Sequence, residues 1–139
     1  MKLYMLRGLP ACGKSTRRRE MQADPAFVPL VAVNKDEIRK ELGIVPGDFK
    51  REKEVLRIES ERIHAALDSG FNVVVDNTHN GSRHAAHYQQ LADQYGYDFQ
   101  LLDMSDVPLE ECIRRDALRT GGEHVGEHVI RRMWEQFYK

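Results

Sequence analysis

Apolar residues follow two rhythms along the 139-residue chain. Four short, nearly continuous runs have the length of buried strands: KLYML (2–6), LVAV (30–33), FNVVVD (71–76) and YDFQLLDM (97–104). Gly8 and Pro10 break the first of them. Between the runs the spacing changes to the helical period. Leu56, Ile63 and Leu67 share one face of the stretch 51–69, which Gly70 closes. Tyr88, Leu91, Ala92 and Tyr95 repeat in the same way and end at Gly96. Pro108 opens a helix carrying Leu109, Cys112 and Ile113. Ile130, Met133, Trp134 and Phe137 line a last amphipathic helix. Strands alternating with helices predict an α/β fold, a four-stranded parallel sheet with helices on both faces. Ligands of such sheets bind beyond the carboxyl ends of the strands. Three of these ends are polar, at residues 8–15, 34–39 and 76–78.

Composition narrows the class. The length fits a single domain over residues 1–139. With 41% apolar and 31% charged residues, the chain reads as an ordinary globular protein. A net charge of −1 gives no support for non-specific nucleic-acid binding, so any basic surface must be local. Cys12 and Cys112 form neither a disulfide scaffold nor a zinc spacing, and a reduced, cytoplasmic setting is expected. No apolar run reaches membrane-spanning length, and MKLYMLRGLP is too short for a signal peptide. The pairs His84/His87 and His124/His128 lack a third ligand and are expected on the surface or a lid.

GLPACGKST (8–16) matches G-x-x-x-x-G-K-[ST] between a predicted strand and a predicted helix, the context that gives this motif its meaning. Gly8 and Gly13 let backbone N–H groups turn inward around phosphate oxygens. The helix start adds a positive dipole end. Lys14 is expected to reach the outer phosphates of ATP, and Ser15 to hold Mg²⁺. Pro10 stiffens the loop. Cys12 is either a reactive thiol, activated by the helix end and Lys14, or a small loop residue. RRR (17–19) is expected on a solvated helix surface.

Asn34 is a good N-cap, with Glu37 three residues later in capping-box fashion. Asp36 then falls in the first turn and Arg39 on the same helix face. Capping needs only Asn34 and Glu37. Asp36 is left to accept a proton from an acceptor hydroxyl, and Arg39 to meet an acceptor phosphate or carboxylate. At the third strand end, Asp76 resembles a carboxylate that holds Mg²⁺ through water. The alternative is a strand-end cap, with Asn80 or Ser82 capping the next helix. Further on, Arg115 and Arg119 share a helix face, and Gly121 and Gly122 permit a hinge after them. This predicts a C-terminal lid at about 114–127 whose arginines neutralise a transferring phosphoryl group.

Together these motifs resemble the phage-type polynucleotide 5′-hydroxyl kinases, along nearly the whole chain. The resemblance implies a P-loop kinase fold, with residues 8–16, including Pro10, Ala11, Cys12 and Thr16, as the ATP loop. It implies Asp36 as general base and Arg39 against the 3′-phosphate of the acceptor nucleotide. DNT (76–78) is similar to the segment lining the acceptor site, which implicates Asp76, Asn77 and Thr78. DVPLEECIRRDALRTG (106–121) looks like the helix and lid that clamp ATP phosphates through Arg115 and Arg119. Ala11 and Cys12 replace the Gly-Ser often found in this loop. No D-x-D-x-T/V phosphatase motif is present. The expected partner is a 5′-OH nucleic-acid end, with a phosphatase or ligase domain alongside if the chain is an excised piece. Oligomeric state stays open. Two rivals remain: a P-loop kinase for a sugar, antibiotic or nucleoside, and a nucleotide-binding regulatory module.

Overall fold

The computed structural model describes residues 1–45, 47–77, 82–119 and 124–138. Strands β1 (Lys2–Arg7), β2 (Leu30–Val33), β3 (Asn72–Val75) and β4 (Asp98–Asp103) form one parallel sheet in the order β2-β3-β1-β4. Every strand pair is parallel, with Met5 opposite Val75 and Leu101, and Val33 opposite Val75. The expected α/β architecture is therefore present. The chain threads it through α1 (Lys14–Ala23), α2 (Lys35–Glu41), α3 (Glu52–Asp68), α4 (Ser82–Tyr95), α5 (Leu109–Ala117) and α6 (Glu127–Phe137).

Alternation along the strands divides the core. Leu3, Met5, Val73 and Val75 face α3 and α4, packing on Ile63, Leu67, Tyr88 and Ala92. Tyr4, Leu6 and Val74 face the other way, onto Met21 of α1. Residues 73–75 are fully buried whichever way they point, which is why that run reads as continuous valine. Each such side chain contributes about 1.5–3 kcal/mol by leaving water. A third cluster joins Leu9 and Cys12 below the phosphate loop to Cys112 of α5 and Ile130 of α6. It fixes the C-terminal helices to the loop.

Two expectations are corrected. β3 is shorter than 71–76: Phe71 is exposed, and Asn72 opens the strand through a bond from Lys2 N–H (2.8 Å) and one to Phe27 O (2.9 Å). Asp76 accordingly stands just beyond the strand. Leu56 is exposed rather than on the buried face of α3, where Val55, Glu59, Ile63, Ala66 and Leu67 point inward. The face is shifted because a carboxylate, Glu59, occupies its middle.

Candidate active site

The connection from β1 to α1 is a closed loop. Cys12 N–H donates to Leu9 O (3.2 Å), and Ala11 and Gly13 take φ of 64° and 105°. Gly13 suits that conformation, whereas Ala11 adopts it at some steric cost. A side chain at Gly8 would put its Cβ 2.4 Å from Cys12 Sγ, so the glycine is required by the thiol beneath it. α1 begins directly after Gly13 with no side-chain cap, so its first N–H groups are not claimed by a capping residue. Lys14 is buried and donates to Gly8 O (2.6 Å) and Leu9 O (3.0 Å). Burial pulls its pKa down, while Cys12 and Asp76 work the other way. Cys12 is 2% exposed, and burial pushes its thiol up more than Lys14 lowers it. Of its two readings, the small packed residue stands.

Because β3 is the immediate neighbour of β1, Asp76 comes up beside the loop. Its carboxylate accepts from Arg18 Nη1 (3.2 Å) and from the Ser15 hydroxyl. Burial raises its pKa, Arg18 and Lys14 oppose that, and the Asp36 charge adds to the rise. Asp36, on the next strand end, is thus within electrostatic reach. Arg18 corrects the expectation of a solvated basic surface: it is 8% exposed and also pairs with Glu37 (3.6 Å). Helical spacing could have found it, since Arg18 lies one turn after Lys14 on the same face.

Asn34 caps α2 by accepting from Glu37 N–H (3.0 Å), and its amide nitrogen donates to Asp76 O. One residue therefore caps the helix and ties two strand ends together. Asp36 is mostly exposed, and its Oδ1 accepts from Arg39 Nη1 (2.7 Å). Arg39 also meets Glu52 through Nη2 (2.6 Å) and Nε (3.4 Å). Burial disfavours its charge, but the Glu52 and Asp36 contacts outweigh this and raise its pKa. Arg39 is thus held between two carboxylates. The sequence carries no signal for Glu52, which arrives from α3.

Asn77 is placed differently from the expected acceptor contact. Its oxygen accepts from Lys35 N–H (2.7 Å), its nitrogen donates to buried Glu59 (2.7 Å), and it is 7% exposed. It positions the start of α2, and so Asp36, rather than presenting a free amide. Burial raises the pKa of Glu59, against Lys35 and Asn77. Thr78, Asn80, Gly121 and Gly122 lie outside the described residues.

On α5, Arg115 Nη1 lies 3.8 Å from where a Cβ on Gly13 would stand, while its Nε donates to Glu111 (3.0 Å). The charge of Arg119 reaches Lys14 and lowers its pKa. Arg114 points outward and forks onto Glu111 (2.6 and 2.8 Å). The structure therefore separates Arg115, beside Gly13, and Arg119, which pairs with Asp116 (3.8 Å) while its charge reaches Lys14, from Arg114. Asp116, unremarked in the sequence, is 1% exposed. It accepts from Val125 N–H (2.9 Å) and Gly126 N–H (2.8 Å), with His124 Nδ1 at 3.3 Å. It fastens the returning chain to α5 just before α6. Asp116→Ala is expected to lower stability by about 1–3 kcal/mol, because the backbone N–H groups of Val125 and Gly126 lose a buried charged acceptor. Thermal unfolding of the variant checks this, with Asp116→Asn, which keeps one accepting oxygen, losing less.

A phosphate loop on the first strand, a carboxylate on the adjacent strand end and arginines over the loop define a P-loop kinase-type domain. The chain belongs to the AAA domain family (AAA_33), which matches residues 3–139. Among solved structures it is similar to a chain of the Pnkp1/Rnl/Hen1 RNA repair complex, at 23% identity and TM-score 0.82, covering 98% of this chain and 43% of that one. A chain of a second Pnkp1/Rnl/Hen1 structure matches at 26% identity and TM-score 0.71, covering 82% and 39%. The Mycobacterium tuberculosis APS kinase CysC in complex with AMPPNP and APS matches at 24% identity and TM-score 0.59, covering 84% and 69%. The chain thus spans less than half the length of the two RNA repair chains. No curated protein matches it. Among the described residues, no helix is long and apolar enough to cross a membrane.

Proposed function

We propose that this domain transfers the γ-phosphate of ATP to the 5′-hydroxyl of a nucleic-acid end. One observation carries the reading: an exposed carboxylate, Asp36, follows β2, the strand next to β3, close enough for its charge to reach Asp76 beside the phosphate loop, and Arg39 is in contact with it. Lys14 and the residues from Gly8 to Thr16 bind the ATP phosphates. Asp36 accepts the proton of the attacking hydroxyl. Arg39, aimed by Glu52, meets the phosphate that follows the terminal nucleoside. Arg115 and Arg119 cover the transferring group. With Thr78, Asp76 and Asn77 border the acceptor, Asn77 by positioning α2.

Ser15 and Asp76 offer a hydroxyl and a carboxylate oxygen in contact with each other, a donor set suited to Mg²⁺ completed by phosphate oxygens and water. Ser15 would hold the ion directly and Asp76 through water. When bound, the ion neutralises charge building on the phosphates.

Similarity to chains of an RNA repair complex supports a nucleic-acid acceptor, as does the motif set. It also supports a phosphatase or ligase working beside this domain. Labelled ATP offered to 5′-OH RNA, 5′-OH DNA, 3′-phosphorylated nucleosides and bare nucleosides tests the reading. Oligonucleotides and 3′-phosphorylated nucleosides are expected to be labelled well above bare nucleosides. Equal labelling of all four would support a small-molecule kinase, a reading that the likeness to APS kinase keeps in view. ATP binding with no transfer would support a regulatory module.

A further inference from the structure

We propose that Phe49 is a stacking platform for a nucleobase of the acceptor strand, at its first or second position. The inference rests on reading Asp36 and Arg39 as the acceptor side of the site. Phe49 lies between α2 and α3 and is 66% exposed. It belongs to none of the three apolar clusters, so core packing does not account for it.

Described residues on both sides of the ring are held by hydrogen bonds. Ile44 N–H donates to Arg39 O (2.9 Å), Asp48 N–H to Val45 O (3.0 Å) and Glu52 N–H to Phe49 O (3.2 Å). Arg51 Nη1 donates to Leu42 O (3.2 Å). The outward ring is thus presented between bonded residues.

Its neighbour gives the ring a direction. The guanidinium carbon of Arg39 lies 5.9 Å from the ring centroid, within cation–π range. Arg39 in turn bonds Asp36 and Glu52. Proton acceptor, phosphate-binding fork and flat apolar ring are therefore consecutive neighbours. That order suits an acceptor with a hydroxyl, a phosphate and a base. Every nucleobase has a π-face, so stacking on Phe49 grips the end without reading sequence. A net charge of −1 gives no support for a long basic groove, and a ring beside one arginine grips a terminus without one. A sugar would meet this ring only through C–H groups, without the π-face that a base offers.

The test compares three 5′-OH oligonucleotides, one intact and two with an abasic residue at the first or second position. Each is assayed with wild type, Phe49→Leu and Phe49→Tyr, with the KM for ATP measured alongside. An abasic residue at one of the two positions is expected to lower wild-type kcat/KM by about 10-fold or more. Phe49→Leu should lose the same factor on the intact strand and no longer distinguish the abasic one. Phe49→Tyr should keep the distinction, and the KM for ATP should hold in all three proteins. The inference is overturned if wild type uses intact and abasic strands equally, or if Phe49→Leu slows all strands alike. Transfer by wild type to no 5′-OH strand would overturn the acceptor reading itself and the inference with it. That outcome is distinct from active transfer indifferent to Phe49.

Discussion

Asp36→Asn is expected to lower transfer to a 5′-OH oligonucleotide by about 10²–10⁴-fold, the usual contribution of a positioned general base. ATP binding should be unchanged, because the loop and its lysine are built from β1 and α1. Folding should be nearly unchanged as well. Asp36 is exposed in the first turn of α2, where a carboxylate contributes about 0.3–1 kcal/mol through the helix dipole. The cap itself comes from Asn34, whose bond to Glu37 N–H does not involve Asp36. Single-turnover transfer, read beside ATP affinity and thermal unfolding, separates these effects. Near-normal transfer by the variant would remove Asp36 from the role of base. It would also favour the readings in which the α2 start is only a helix cap.

The residues that carry the reading were legible in the sequence to different depths, and burial explains the difference. The phosphate loop was legible because its chemistry needs a fixed backbone and a fixed spacing, so the motif is contiguous. Asp36 and Arg39 were legible because helix-start rules account for Asn34 and Glu37 and leave these two over. The central strands β1 and β3 were legible because strands covered on both faces read as apolar runs, whereas β4, expected to be buried, is a largely exposed edge strand. What escaped lies across the fold. Glu52 and Glu59 come from α3, and only their contacts with Arg39 and Asn77 tie them to the site. The Leu56 misreading has the same source: with Glu59 turned inward, an apolar count sets the buried face of α3 wrongly. Arg18 looked like one of three exposed arginines, yet the turn that brings Lys14 to the loop also brings Arg18 to Asp76. For Cys12 the sequence left two readings, a thiol activated by a lysine and a helix end or a small loop residue. Only the third apolar cluster reveals the burial that outweighs lysine and helix end.

Arg119→Ala is expected to have the larger effect on chemistry, a loss of about 10³-fold or more in transfer, in line with arginines that neutralise a transferring phosphoryl group. The case rests on position within α5 and its end. Arg114, Arg115 and Arg119 share one stretch of sequence, and the fold sorts them. Arg114 is turned to solvent and forked onto Glu111. Arg115 reaches Gly13 of the loop, and the charge of Arg119 reaches Lys14. Arg119 is held by buried Asp116 (3.8 Å) and Arg115 by Glu111 (3.0 Å), so both guanidinium groups are positioned before a phosphate anion joins them. A phosphoryl group passing between donor and acceptor is that anion, and its charge is most spread in the transition state. Arg119 should therefore act on kcat more than on the KM for ATP. Arg119→Lys should recover only part of the loss, because a point charge lacks the planar fork. Arg114→Ala is the internal control, a surface change expected to alter stability by less than about 0.5 kcal/mol and transfer little. Equal losses from Arg114→Ala and Arg119→Ala would mean that the stretch acts through overall charge. A loss confined to Arg119 and Arg115 would mean that α5 delivers two particular guanidinium groups to the loop, with Cys112 packed under Cys12 holding the helix there.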